Sequence, residues 1–205
     1  MKKDIIIDFD GVLFPTGEAT LNWLEQYYGI TIPRGAYMCG SSLHHLVSKH
    51  LPENSKPVDE YELYRLIGKE FLASMKHHED IQPMEEAFVS VEALSKKYTL
   101  HVATARLTLG KDVVRKMLDK FFPGMISSIH HVWHISDNDE FLSAPKRDFI
   151  QKLSDPVLFI DDSPREIEDV SKVVRTALFD PQNHHANTTN TTYRVKSWGE
   201  VLEIV

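Results

Sequence analysis

The feature that most constrains the fold of this chain is a rhythm of short apolar runs that alternate with helical patterns. Residues 5–7 are three isoleucines, and similar runs recur at residues 100–104, 129–135, 157–160 and 176–179. A β-branched run without a polar face indicates a strand that is covered on both sides, as in a parallel sheet. Helical patterns separate the runs, at residues 84–98, 109–121, 145–153 and 164–173. The alternation predicts a three-layer, Rossmann-like α/β fold around a mostly parallel sheet.

Residues 14–82 break this rhythm, because they offer helical patterns without a convincing strand. Apolar side chains recur at helical spacing over residues 19–28, 43–51 and 58–75. We therefore predict a core of residues 1–13 and 83–205 with a helical insertion after the first strand. Several aromatic side chains of this insertion are either its own core or a platform on which a base stacks; they are Trp23, Tyr27, Tyr28 and Tyr37.

The composition of the chain limits the kinds of partner that it can bind. Its 205 residues, 42% of them hydrophobic, suffice for one core and a modest insertion. The net charge of -7, without a basic stretch, disfavours polymeric nucleic acid as a partner, and a site for a phosphate must supply its own cation or N–H groups. No segment approaches the roughly 20 apolar residues of a membrane helix. Cys39 is the only cysteine, which excludes an intramolecular disulfide, so we expect a soluble cytoplasmic protein. The sequence leaves the oligomeric state open.

Polar side chains stand where the predicted strands end. The first strand ends in Asp8, with Asp10 two residues further on, and the second run ends in Thr104. The fourth run ends in the pair Asp161 and Asp162. In an open parallel sheet, ligands collect at the carboxyl ends of the strands, so we expect these side chains to meet at one edge.

Four carboxylates at one edge repel each other unless a cation or protons neutralise them. Lys146, at the start of the helix before the fourth strand, can reach this edge, although its neighbour Arg147 is a direct rival for the position. A hard divalent cation removes the remaining conflict, because Mg²⁺ prefers oxygen ligands and is often held by one or two carboxylates and a substrate phosphate. The residues therefore indicate magnesium-assisted phosphoryl transfer.

These clusters resemble, in order, the four signature motifs of the haloacid dehalogenase superfamily. They are Asp8-Phe9-Asp10-Gly11-Val12, Thr104 at the end of an apolar strand, Lys146, and Phe159-Ile160-Asp161-Asp162. The likeness spans the core from residue 5 to about residue 180, and the helical insertion, residues 14–82, looks like the cap that many members carry there. The short cap and the first motif are also similar to the 5′(3′)-deoxyribonucleotidase-like branch.

The resemblance implies how two aspartates divide the reaction. Asp8 would be the nucleophile that forms an aspartyl phosphate. Asp10 would be the general acid that protonates the leaving oxygen and then the base that activates water, which requires its pKa to lie above that of Asp8. Members that displace halide lack this second aspartate, so Asp10 favours phosphate esters.

The resemblance also implies ligands for the metal and the phosphoryl group. The metal ligands would be Asp8, the Asp10 carbonyl group and Asp162, with Asp161 supporting the metal or Lys146. The phosphoryl group would be bound by Thr104, the backbone N–H of Ala105 and Lys146. Arg106 is either a clamp for a second anionic group of the substrate or half of a surface ion pair.

We therefore expect a Mg²⁺-dependent phosphomonoesterase that acts on a small phosphorylated metabolite, for which a nucleoside monophosphate is one candidate. A sugar-phosphate phosphatase or a phosphomutase would use the same residues, and a non-catalytic binding protein is the alternative from another class. Phosphonate cleavage would need a cap lysine, and none of the four in residues 14–82 stands in a recognisable motif. Adjacent histidines, such as His77 and His78, point apart and are expected at the polar surface rather than at a metal.

Overall fold

The computed structural model describes residues 2–33, 43–51, 59–135, 141–185 and 190–205. Its strands are β1 (Asp4–Ile7), β2 (Thr99–Leu107), β3 (Ile126–Ile135), β4 (Phe141–Ser143), β5 (Pro156–Asp161), β6 (Thr176–Phe179) and β7 (Tyr193–Val195). Among the described residues they form one sheet in the order β4-β3-β2-β1-β5-β6-β7. Neighbouring strands are parallel except for β3 and β4. The predicted α/β fold is therefore confirmed, and the three-residue β4 is an addition too short to show a period.

Strand β1 lies at the centre of the sheet, between β2 and β5. Its three isoleucines are fully buried. Ile5 and Ile7 pack into the apolar cluster on one face of the sheet, whereas Ile6 packs into the cluster on the other. Because both faces are covered, the strand has no polar side, as its sequence predicts.

Five helices of the described chain accompany the strands of the core. They are α4 (Ala87–Lys97), α5 (Lys111–Phe121), α6 (Lys146–Ile150), α7 (Pro164–Val170) and α8 (Trp198–Glu203). Helix α7 begins with a proline, as predicted, and the Ser163 hydroxyl caps its first turn by accepting a hydrogen bond from Glu166 N. None of the helices in the described ranges is long and apolar enough to cross a lipid bilayer.

The α-helices described within residues 14–82 are α1 (Thr16–Tyr28), α2 (Leu43–Lys49) and α3 (Glu60–Leu66). Helix α3 continues into a π-helical turn, Ile67–Leu72, and a short 3-10 turn, Met75–His77, follows. The three helices and the π-helical turn share an apolar cluster of their own, which includes Leu24, Val47 and Phe71. Trp23 belongs to this cluster and lies 5.5 Å from the ring of Phe71, whereas Tyr27 is half exposed. Tyr37 lies outside the described residues.

Phe14, at the predicted start of the insertion, does not belong to the apolar cluster of the inserted helices. The ring of Phe14 lies 4.8 Å from that of Phe9 and 5.8 Å from that of Phe122, within the main apolar core. Met75 and Ile81 also pack against the main core. Along the chain, the boundaries between the two apolar clusters therefore lie close to the start of α1 and close to the end of the π-helical turn.

A polar network ties β1, β2 and β3 together at the edge opposite their carboxyl ends. His101 Nε2 lies 3.2 Å from Asp4 Oδ1, and His101 Nδ1 lies 2.7 Å from Ser128 Oγ. Asp4 Oδ2 also accepts a hydrogen bond from Asp155 N, at 3.0 Å. The network satisfies a buried carboxylate and links four segments of the core.

Candidate active site

Three predicted carboxylates meet at the carboxyl ends of β1 and β5. Asp8 follows β1 directly, Asp161 ends β5, and Asp162 comes next. One carboxylate oxygen of each lies within 4.8 Å of the others. Lys146 Nζ donates to Asp8 Oδ1 at 2.5 Å and to Asp161 Oδ2 at 2.6 Å. All of the lysine and both of its partners are buried, so the predicted cluster forms a compact, desolvated ionic centre.

Lys146 and Arg147 leave α6 in different directions, and this decides which of them contacts the carboxylate cluster. Lys146 is 2% exposed and reaches into the carboxylate cluster. Arg147 instead donates from Nη1 to Asp169 Oδ1 at 2.7 Å, with both side chains about one-third exposed. Only Lys146 of the two contacts the cluster.

The carboxylates of this centre are held in an unfavourable environment. Burial raises the pKa of Asp8 well above its usual range, although the charge of Lys146 opposes this. Burial and the charge of Asp161 raise the pKa of Asp162 to about 8. One ammonium group is too little for three carboxylates, so a divalent cation or bound protons must supply the rest. This oxygen-rich donor set fits Mg²⁺.

Gly11 shows how closely the two acidic motifs approach each other. Its φ is +77°, and a Cβ atom at this position would lie 2.0 Å from Asp162 Oδ2. Only glycine combines this left-handed backbone with such a close approach. The Asp10-Gly11 turn therefore places the loop after β1 directly against the carboxylate of Asp162.

Asp10 is not part of the three-carboxylate cluster and contacts Arg106 instead. Arg106 Nε lies 3.0 Å from its Oδ2, and Arg106 Nη2 donates to its Oδ1 at 2.8 Å. The Thr16 hydroxyl also donates to Oδ1. The Asp10 side chain keeps 34% of its surface exposed, whereas that of Arg106 keeps 1%. Arg106 therefore forms an ion pair with Asp10 and is itself buried, unlike the surface pair that the sequence suggested, and its role as a substrate clamp stays a prediction.

The pKa order of the two aspartates is the reverse of the predicted one. Burial alone would raise the pKa of Asp10, but the charge and hydrogen bonds of Arg106 outweigh burial and lower it. The pKa of Asp8 is raised instead. The expectation that Asp10 has the higher pKa is thus wrong for this state of the protein, because the sequence does not reveal the bidentate Arg106 contact.

Strand β2 runs to Leu107, three residues beyond the end that the sequence predicted at Thr104, so Thr104 and Ala105 lie within the strand. Thr104 is fully buried, and its hydroxyl accepts a hydrogen bond from Arg106 N at 3.1 Å. The hydroxyl lies 3.5 Å from Asp10 Oδ2. Ala105 is exposed between buried neighbours. Only Ala105 of the two is therefore exposed, and the binding of a phosphoryl group by both residues stays a prediction.

His78 belongs to this region, although its sequence carries no signal for it. It is 1% exposed, contrary to the expectation of a surface position, because its ring packs 4.9 Å from that of Phe71. His78 Nδ1 donates to Ser74 O at 2.9 Å. Its Nε2 and the Nη1 of Arg106 are the two buried side-chain polar atoms without a hydrogen-bond partner among the described residues. Burial and the charge of Arg106 lower the pKa of His78 to about 4.

Trp198 is a second residue that sequence reasoning did not connect with the site. Its ring is fully buried, and Nε1 donates to Val12 O at 3.0 Å. Helix α8 thereby holds the loop that carries Asp10 and Gly11. Only a contact between residues far apart in the chain produces this link.

Comparison with solved structures identifies the fold of the chain. No protein-family model and no curated protein matches the chain. A haloacid dehalogenase-like hydrolase from Streptococcus pneumoniae is similar, with a TM-score of 0.69 and 17% identity over 99% of this chain and 98% of that one. A predicted phosphoglycolate phosphatase from Haemophilus somnus has a TM-score of 0.64 and 17% identity, over 99% and 97%. A HAD-hydrolase from Bacillus subtilis bound to magnesium has a TM-score of 0.60 and 15% identity, over 99% and 98%. The chain therefore has the fold of the haloacid dehalogenase-like hydrolases, as its motifs suggest.

Proposed function

We propose that the chain is a Mg²⁺-dependent phosphomonoesterase that acts on a small phosphorylated metabolite through a phosphate ester on Asp8. The observation that carries the proposal is the buried centre in which Lys146 bridges Asp8 and Asp161 beside Asp162. A second carboxylate, Asp10, stands next to this centre and is open to solvent. Similar solved structures include a phosphatase and a magnesium-bound hydrolase, which agrees with this chemistry.

The chemistry divides one difficult displacement into two. A carboxylate oxygen of Asp8 attacks phosphorus in line and forms an acyl phosphate as the ester oxygen leaves. Water then attacks the same phosphorus and restores Asp8. Asp8, Asp161 and Asp162, with the Asp10 carbonyl group, would hold Mg²⁺, which supplies positive charge to the phosphoryl oxygens when bound. Lys146 favours the ionised form of Asp8 against the effect of burial and orients it, because it donates a hydrogen bond to the carboxylate.

Asp10 serves the leaving group and the attacking water. In the present structure Asp10 is held as a carboxylate by Arg106, which suits a base for the second step. For the first step it must carry a proton. The negative charge of an arriving phosphate ester raises the pKa of Asp10 and competes for the guanidinium of Arg106, so that substrate binding prepares the acid.

The proposal assigns binding of the phosphoryl group to the Thr104 hydroxyl, the Ala105 N–H and Lys146. The Thr104 hydroxyl lies 3.5 Å from Asp10 Oδ2, and the next residue, Ala105, is exposed. Arg106 is a further candidate donor in this proposal, because its Nη1 makes no hydrogen bond to Asp10 or to another described residue. Preorganised donors of this kind are worth most in a site that excludes water.

The inserted helices act as a cap over the strand ends. Because the apolar clusters divide near the start of α1, we place the cap from about residue 15 to residue 74, slightly inside the predicted limits of 14–82. A cap of this size admits small phosphates and excludes macromolecules. Trp23 is committed to the cap core, so a base-stacking role for it is not supported. Sugar phosphates therefore stand beside nucleoside monophosphates as candidate substrates.

A panel of phosphate esters tests the proposal. Phosphate release is measured with and without Mg²⁺ for a nucleoside monophosphate, a hexose phosphate, 2-phosphoglycolate and p-nitrophenyl phosphate. We expect release from at least one ester with metal, and loss of it when EDTA is added. Asp8→Asn should abolish turnover, whereas Asp169→Asn, which removes a surface carboxylate, should retain it. A folded protein that releases no phosphate from any ester would instead favour a binding protein.

A further inference from the structure

Lys146 stands at the start of a helix that is too short to fix its position. Helix α6 has five residues, and a helix of this length is not stable by itself in water. Lys146 Nζ nevertheless lies 2.5 Å from Asp8 Oδ1 and 2.6 Å from Asp161 Oδ2, at the ends of two different strands. A displacement of about 1 Å is enough to carry one of these contacts beyond hydrogen-bond length. The position of the ammonium group must therefore come from contacts outside the helix.

The chain just before Lys146 is fastened to β3. Ala144, two residues earlier, donates from its backbone N to Val132 O at 2.7 Å. Its carbonyl oxygen accepts a hydrogen bond from His130 Nε2 at 2.8 Å. Because a carbonyl oxygen only accepts, this contact places the ring proton of His130 on Nε2. Both backbone polar groups of Ala144 are therefore bound by β3 or by a side chain that β3 carries.

The same histidine ring contacts the helix after Lys146. The rings of His130 and Phe149 are stacked, with 4.6 Å between their centroids and 4° between their planes. Phe149 follows Lys146 by three residues, which is close to one helical turn. Burial lowers the pKa of His130 below its usual value, so its ring is neutral at pH 7 and adds no positive charge near Lys146. His130 therefore contacts the chain on both sides of the lysine.

Helix α6 has further anchors, but they act elsewhere. Ile150 is fully buried in the apolar cluster on this face of the sheet. Arg147 donates to Asp169 at the partly exposed side of the helix. Of all these contacts, those of His130 are the ones that join the segment before Lys146 to the helix after it.

We propose that His130 is a positioning residue, which places the Lys146 ammonium group between its two carboxylate partners for phosphoryl transfer. It does so through its hydrogen bond to Ala144 O and its stacking on Phe149. The inference rests on the proposed phosphatase function and deepens it. His130 touches no reacting atom and acts through Lys146 alone. Catalytic groups must be held to within about 0.5 Å of the productive geometry, so the loss of this support lowers the rate.

Three variants of His130 separate its two contacts. His130→Ala removes both, His130→Phe keeps a ring for stacking, and His130→Gln keeps a donor. With Mg²⁺ and p-nitrophenyl phosphate, we expect kcat of His130→Ala to fall roughly 10- to 100-fold, as a misplacement of about 1 Å can cost. His130→Phe and His130→Gln should each recover a part of the loss.

Two companion variants distinguish positioning from stability. Val173→Ala removes a partly buried side chain that packs against the same apolar cluster, so it costs stability without touching the chain around Lys146. At a temperature well below its unfolding midpoint, its kcat should stay within about twofold of the wild-type value. Phe149→Leu removes the stacking from the other side. Its addition to His130→Gln should cost little more, because the stacking is already lost in that variant.

The reactivity of the Lys146 amine measures its position without reference to activity. Although burial lowers it, the charges of the two carboxylate partners raise the pKa of Lys146 above its usual value. A buried, protonated amine resists acetylation by acetic anhydride, which peptide mass spectrometry follows. We expect the rate at Lys146 to rise about 10-fold in His130→Ala and to stay unchanged in Val173→Ala. The exposed Lys152 serves as the internal reference.

The outcomes have distinct meanings. If kcat of His130→Ala lies within about twofold of that of Val173→Ala at a similar thermal midpoint, the inference is overturned, because the contacts then serve stability alone. An unchanged acetylation rate at Lys146 in His130→Ala would overturn it as well. A folded wild-type protein that releases no phosphate from any ester would overturn the proposed function, while acetylation would still show whether His130 holds the lysine. Should His130→Ala fail to fold, His130→Phe and His130→Gln decide by the same two measurements.

Discussion

Replacement of Gly11 by alanine tests whether the close approach of the two acidic motifs builds the metal site. The new Cβ would lie 2.0 Å from Asp162 Oδ2, a distance that no pair of unbonded atoms can keep. The side chain of Asp162 must therefore rotate away from Asp8 and Asp161. We expect Mg²⁺ to bind roughly 10- to 100-fold more weakly, as is typical when the support of a metal ligand is lost.

Backbone strain adds a separate effect on stability. A side chain at a φ of +77° costs about 1–2 kcal/mol. In a chain of this size such a loss lowers the midpoint of thermal unfolding by roughly 2–8 °C. Gly124→Ala and Gly29→Ala impose the same strain, at φ values of +70° and +66°, but their Cβ atoms meet nothing within 4 Å. These variants isolate the strain from the clash.

Titration calorimetry of Mg²⁺ and the Mg²⁺ dependence of phosphate release measure the affinity for the ion. Thermal unfolding measures the loss of stability separately. Gly124→Ala and Gly29→Ala should lose the stability that the strain costs, Gly11→Ala should lose at least as much, and only Gly11→Ala should lose Mg²⁺ affinity. An affinity for Mg²⁺ within about twofold of that of Gly124→Ala would refute the argument, since it would show that Asp162 does not need its present position to bind the ion.

Two further predictions concern buried charges. Lys146→Met leaves its carboxylate partners unpaired and should destabilise the metal-free protein by roughly 3–5 kcal/mol, with partial recovery in Mg²⁺. The control Arg147→Met should cost under about 1 kcal/mol. Equal losses of the two variants in urea unfolding would contradict this prediction. The pKa of Asp4 is lowered because hydrogen bonds from Asp155 N and His101 outweigh burial, so its contribution to stability is present above the unfolded pKa of about 3.9 and is lost as the pH falls through the folded value. Asp4→Asn should therefore be less stable than the wild type at pH 7, and the difference should shrink at pH 3; an equal difference at both pH values would contradict the assignment.

The strands and their polar ends could be predicted from the sequence because they depend on local patterns. A buried central strand needs apolar residues on both faces, and Ile5 to Ile7 supply them without reference to the rest of the chain. The same reasoning predicts the positions of Asp8 and Asp161, since parallel strands bring their carboxyl ends to one edge, whereas β2 runs three residues beyond Thr104. The choice between Lys146 and Arg147 was out of reach, because a five-residue helix does not show which side faces the sheet.

The state of Asp10 and the burial of His78 depend on contacts between distant segments. Arg106 follows Thr104 by two positions on β2, which puts both side chains on one side of the strand and aims the guanidinium at Asp10. Its bidentate contact sets the pKa of Asp10, and spacing in the sequence does not reveal such a contact. His78 is buried by Phe71 of the inserted helices, whose packing no period predicts.

The central place of β1 has a consequence for the use of activity as an assay. The proposed nucleophile, Asp8, follows a strand whose neighbours, β2 and β5, come from much later in the chain, and Trp198 contacts the loop that comes next. A partly folded chain, or a fragment that lacks the last helix, has no means of assembling these parts. Contacts of such long range also make folding slow. Recovery of phosphate release after dilution from denaturant would therefore report the last step of folding, and it should lag behind the return of helical circular dichroism.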